Sequence, residues 1–404
     1  MTEWSSIFNE VYGIFAVNKS VEKQCRKEAC MGDKIIFYAT GDIGMNREDP
    51  DSIFNGVRDT LQSGDLVFGQ LEPCLASVGT PACQARLPMR GNPNGAGAIR
   101  RAGYDVISFA TNHCMDWGRE AFYQTIDVLK AEDMKVIGAG RNIDEARQPV
   151  IMEIGDTKIG FLGYNTILPQ DYYATKNRPG CAPMRGMTVY EPIEHDQPGT
   201  PCRIHTFPHR EDLKNLILDI QKLRSQVDVL VLSIHWGIHF IPAVLADYQR
   251  DVAHAAIDAG ADIILGHHTH ILKPMEVYKG KVIFYSLANF ALDPPQAFAE
   301  DLEHQEQHKE IMKLNADWKN SKRKMPEDSY KTVLAKIEIK EKKIDSVGYI
   351  PVLLDEDSNP EVLTADQKEF GEIVHYIENI SADQELYPKF RTEQNVVKIL
   401  TEEE

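Results

Sequence analysis

Short apolar runs bounded by glycine, asparagine and aspartate alternate along this chain with stretches whose apolar positions recur every third or fourth residue. The runs read as strands and the stretches as amphipathic helices, because a strand turns successive side chains to opposite faces while a helix returns to one face about every 3.6 residues. Strands are predicted over 34–40, 65–72, 102–110, 136–140, 158–164, 228–234, 262–265, 281–286, 332–339 and 344–353. Helices are predicted over 119–131, from 210 through Leu213, Leu216, Ile217, Ile220 and Leu223, and over about 243–259. Strand and helix in alternation predict an α/β protein.

Other segments depart from this rhythm. Trp4, Ile7, Phe8, Val11, Tyr12 and Phe15 keep helical spacing and predict an N-terminal helical arm over 1–30. The main domain is expected over 31–355, with a proline-, glycine- and aromatic-rich insertion at about 165–210. A loop of that length in a compact domain is usually functional, and Met184, Val189 and Tyr190, residues of buried type, predict that it is ordered. Residues 296–328 are charged and helix-prone and read as a solvated helical excursion, and 356–404 as a helical C-terminal extension.

Charge and composition narrow the partners. A net charge of -17 opposes binding to nucleic acid or anionic lipid, so neither is expected. No run reaches the roughly 20 apolar residues of a membrane span, and the first residues lack a basic and then apolar leader. A cytoplasmic protein is the expectation, and a homo-oligomer is compatible with it. The seven cysteines are an odd number without a CxxC pair, so no disulfide framework is indicated.

Polar residues at the strand ends add chemistry. The run 262–265 leads into Gly266, where the backbone is expected to turn, and then into His267, His268, Thr269 and His270. Histidines can cap a turn, but three in four residues after a buried strand favour metal ligation. Asp42 follows Gly41, Glu72 ends the run 65–72, Asn112 and His113 follow 102–110, and His235 closes 228–234. Mixed carboxylate, amide and imidazole donors suit Zn, Mn or Fe, and a shared carboxylate permits two ions about 3.5–4 Å apart. A histidine beside such a site can protonate a leaving group. Arg90, in a turn-rich segment, and Arg178, Arg185 and Arg203, in the insertion, can clamp a carboxylate or phosphate, or stay solvated at the surface.

Gly41-Asp42, Leu71-Glu72, Ala110-Thr111-Asn112-His113 with Asp116 and Gly118, His235-Trp236-Gly237, Gly266 to His270, and the segment from Phe284 to Phe290 together resemble the CapA-type capsule-synthesis and poly-γ-glutamate proteins of the calcineurin-like metallophosphoesterase fold. The resemblance covers about 34–352 and implies a four-layer α/β/β/α sandwich with an insertion and added helices. It implies Asn112, His235 and His268 as ligands of one ion, Glu72 as a bridging carboxylate, Asp42 and His270 as ligands of a second, and His113 as proton donor, with Asp42 also at the catalytic centre. His239 stands where relatives often carry glutamate and is a candidate substrate contact. Gly44 occupies the position where phosphoesterases of this fold have a histidine, which leaves one-metal, two-metal and metal-free states open.

The expected activity is a metal-dependent hydrolase acting on a phosphoester or a carboxylate-bearing, glutamyl-type amide, with a small or peptide-like anion as substrate. A metal-independent isomerase or epimerase on the same scaffold, and a noncatalytic polymer-assembly protein, are the alternatives.

Overall fold

The computed structural model describes residues 34–294, 306–316, 318 and 325–401; the N-terminal arm expected over 1–30 lies outside them. Two large sheets carry the fold. The first has ten strands, eight of them in the order Lys389–Glu393, Val396–Leu400, Lys343–Leu354, Lys331–Lys340, Ile35–Gly44, Leu66–Leu71, Val106–Ser108 and Lys135–Ile137. Asn289–Leu292 pairs beside the end of Ile35–Gly44, and Pro360–Val362 beside Lys343–Leu354. The second has six, in the order Met275–Tyr278, Lys281–Phe284, Ile263–His267, Val229–His235, Thr157–Asn165 and Val150–Ile154. Each has a parallel centre, so its central strands all end on one edge.

Alternation along the strands explains the layers. In Val229–His235, Val229 and Val231 face the first sheet, while Leu230, Leu232 and Ile234 face helices. In Ile35–Gly44, Phe37 and Ala39 face the second sheet and Tyr38 faces away. Both faces are apolar because both are covered. Phe161 stands edge-on to Phe37 with ring centres 5.6 Å apart and stacks on Phe68 at 6.0 Å. Helices Gly95–Ala102 and Gly118–Ala131 pack on the outer face of the first sheet through Ile99, Phe122 and Leu129. Helices Arg210–Arg224 and Asp247–Ala259 cover the second through Leu216, Ile220, Val252 and Ala256. The chain is thus an α/β sandwich.

Several expectations change. The stretch after 356 supplies one helix, Lys368–Ala382, and then a hairpin that extends the first sheet, because Val397 and Ile399 alternate inward as strand residues. The charged excursion is not wholly solvated: Trp318 is buried against Phe240 at 4.8 Å between rings, and Asn315 donates to the Phe240 carbonyl at 2.8 Å. In the insertion, Met184 is buried, but Val189 and Tyr190 lie exposed on the hairpin of Gly186–Pro192 and Cys202–Pro208.

Candidate metal centre

The polar site is the end of the apolar interface between the sheets. Reading every second residue gives Leu66, Phe68, Gln70 and Glu72 on one strand and its exit, Val229, Val231, Ser233 and His235 on another, and Ile263, Leu265 and His267 on a third. The same alternation that packs the core therefore delivers Glu72, His235 and His267 to one buried edge, the edge where ligand sites form in parallel sheets.

The glycines act by allowing close approach. Gly266 lies inside its strand, where a Cβ would come 2.2 Å from the Tyr285 carbonyl oxygen; the turn falls instead on His268, at φ +91°, and His270, at φ +58°. Gly41 likewise makes room for the Ala288 carbonyl, and Asp42 sits within the strand at a bulge rather than beyond its end. Left-handed backbone at two histidines is strained, and such strain clusters at functional sites.

Asp42, Glu72 and His235 offer ligand atoms within 4.8 Å of one another, and all three are fully buried. Asn112 Oδ1 meets His235 Nε2 at 2.7 Å and His268 Nδ1 at 3.0 Å, and those two ring nitrogens are 3.1 Å apart. Glu72 Oε2 accepts from the Thr111 hydroxyl at 2.9 Å and lies 3.6 Å from His235 Nε2. His270 approaches Asp42 Oδ2 at 3.8 Å through Nδ1 and Glu72 Oε1 at 3.9 Å through Nε2; its Nδ1–H donates to Asn289 Oδ1 at 2.8 Å. Asp42 Oδ1 and Glu72 Oε1 are buried without a hydrogen-bond partner, and no lysine or arginine pairs with either carboxylate among the described residues. Burial, and then the nearby Asp42 charge, push the Glu72 carboxyl up to about 8.

His113 is held from behind. Its Nδ1 lies 2.5 Å from Asp116 Oδ2, and Asp116 also accepts from the Met89 N–H and the Tyr172 hydroxyl, each at 2.8 Å. Nε2 then faces the site, 3.8 Å from Glu72 Oε1. Burial opposes charge on this ring, but Asp116 outweighs it with help from Glu72 and Asp42, raising it to about 9. The opposite holds for His235, His268 and His239: burial, then neighbouring histidines, keep them well below the ordinary histidine value and so neutral, the form that ligates metal. The His239 ring packs 3.8 Å from that of His268, and its Nε2 is buried without a partner.

A cavity of about 1000 Å³ opens over Asn112, His113, His239 and His270. None of Arg90, Arg178 and Arg185 lines it. Arg90 lies over the Trp117 ring at 3.6 Å, Arg178 pairs with Asp171, and Arg185 forms a forked pair with Asp212 at 2.7 and 2.8 Å. Sequence reading gave no role to Asn289 and did not pair Asp116 with His113; His267, one of the three histidines expected at the site, places its Nδ1 3.5 Å from Asp42 Oδ1. The available signals were Asp116 three residues after His113 and the place of Asn289 in the segment from Phe284 to Phe290.

Comparison with known proteins identifies the family. The model of the bacterial capsule synthesis protein family PGA_cap matches residues 17–294. A PGA biosynthesis protein CapA of Bacillus subtilis is 29% identical over 63% of this chain and 62% of its own length, and a capsule biosynthesis protein CapA of Bacillus anthracis 28% over 65% and 60%. A probable polyglutamine synthesis accessory protein of Mycobacterium tuberculosis is 25% identical over 57% and 56%. The chain thus spans about 60% of the length of these relatives. It belongs to the PGA_cap family of bacterial capsule synthesis proteins.

Proposed function

We propose that this member of the PGA_cap family acts in capsule or PGA biosynthesis, the processes its relatives are named for, as a metal-dependent hydrolase of a phosphoester or a glutamyl-type amide. One observation carries the reading: two fully buried carboxylates that no lysine or arginine pairs with among the described residues converge with His235 beside a histidine clamped by aspartate. Unpaired buried carboxylates are costly, and a divalent cation would relieve that cost. The donors are oxygen and imidazole nitrogen with no thiolate, which suits Zn, Mn or Fe.

In this reading Asn112, His235 and His268 would hold one ion and Asp42 and His270 a second, with Glu72 available to either. Bound there, the ion supplies Lewis acidity and brings the pKa of water toward neutrality. Asp116 keeps the His113 proton on Nδ1 when the ring is neutral, and the charged ring offers its Nε2 proton to the leaving atom. The substrate is a small or peptide-like anion.

A second reading, proton transfer at carbon between Glu72 and His113, is favoured by Gly44. A Cβ there would come 2.3 Å from Pro73 Cδ, so the missing histidine has no room. Metal content decides between them. Protein purified without chelator should hold about one or two transition-metal ions per chain, and His235→Ala or His268→Ala should lose them. A site that refuses added Zn and Mn overturns the hydrolase, and solvent deuterium entering candidate peptides would then support the isomerase.

A further inference from the structure

The cations near the cavity are unequally free. Arg47 lines it but is held by Asp293 at 2.5 and 3.1 Å and by Asn359 at 2.6 Å. Arg86 lines it too, is exposed, and among the described residues has no carboxylate within ion-pair distance. It belongs to the loop that follows Cys74–Leu75, which the Ala82 and Met89 N–H groups tie to Asp116, the partner of His113.

The other charges around the cavity set a direction. Asp116 is matched by His113 and Asp293 by Arg47, whereas Glu356 and Asp357 are exposed acids at the Arg47 end. An anion entering is repelled from that end and drawn to Arg86. Phe240, Ile311 and Leu354 give the cavity an apolar wall that offers an anionic group nothing.

We propose that Arg86 reads the anionic group of the substrate, gripping one carboxylate or phosphate through its guanidinium while the group to be transformed lies against His113. A planar fork of donors suits either oxyanion. The substrate then carries its anionic group near the group to be transformed and a neutral remainder toward Phe240 and Leu354. This deepens the reading above but rests only on the cavity being a substrate site, not on the hydrolytic step.

The test uses inorganic phosphate and glutarate as probes, titrated calorimetrically into chelated and Mn-loaded protein. Arg86→Ala should weaken binding about tenfold or more, Arg86→Lys should fall between because a point charge replaces the fork, and metal content should not change. A preference for glutarate or phosphate identifies the oxyanion. With p-nitrophenyl phosphate or γ-glutamyl-p-nitroanilide, the loss should appear in KM rather than kcat. Equal probe affinity in the wild type and Arg86→Ala, or no binding of either probe to the wild type, overturns the proposal. Probe binding through Arg86 without turnover in any metal defeats the hydrolase reading and leaves Arg86 standing; turnover with unchanged KM in Arg86→Ala does the reverse.

Discussion

Asp293 and the pair Asp42 and Glu72 are acidic groups largely taken out of water in one part of the molecule, and the chain treats them oppositely. Asp293 receives a forked arginine, and that arginine is held in turn by Asn359 and the Asp357 carbonyl. Asp42 and Glu72 receive hydrogen bonds from the His268 N–H and the Thr111 hydroxyl, and no cationic side chain but histidine approaches them among the described residues. Matched charge stabilises a fold. Unmatched buried charge costs stability and persists where function uses it.

Exchange of the two treatments is the sharpest way to break the comparison. Glu72→Gln should cut metal affinity at least about a hundredfold, measured by competition with a chelating dye, while leaving unfolding of the chelated protein nearly unchanged at pH 7. Glu72 is already mostly protonated there without metal. Asp293→Asn should do the reverse, costing about 2 kcal/mol in urea unfolding with metal content intact. Equal losses of both kinds in both variants would erase the distinction.

The next effect concerns the proton donor. Asp116→Asn keeps a polar group behind His113 but removes the charge that raises it, so turnover should fall about a hundredfold with metal stoichiometry unchanged. A variant with normal turnover removes His113 from the reaction.

The smallest effect is at Lys273, a buried cation that donates to the Ile241 and Val244 carbonyls and has no carboxylate in ion-pair distance among the described residues. Burial lowers it to about 7 from 10.5. Between those values the unfolded chain binds more protons than the folded one, so this group makes stability rise with pH from about 7 toward 10.5. Lys273→Met should flatten that rise; an unchanged pH profile in urea unfolding would show that the two carbonyls keep the lysine charged.

Much of the scaffold was legible because burial on both faces leaves unbroken apolar runs. Strands near 34–40, 228–234 and 281–286 stand where those runs stood. The C-terminal hairpin was not legible, because its strands carry polar and charged residues among their apolar ones and gain their partner only from Lys343–Leu354. At the site, His235 and Glu72 were readable as strand-end residues. The arginines were not, because an arginine's role depends on which carboxylate reaches it first: Asp212 takes Arg185 and Asp171 takes Arg178, and among the described residues no such partner takes Arg86.

The sequence by itself determined on which face of a strand each residue stands, since a period of two is a local property of the backbone. Only the tertiary structure decided which strand ends meet, which charges find partners and which are left without them. Those outcomes depend on distances between residues far apart along the chain, such as the register that sets His235 beside His267 and the bulge that turns Asp42 toward both.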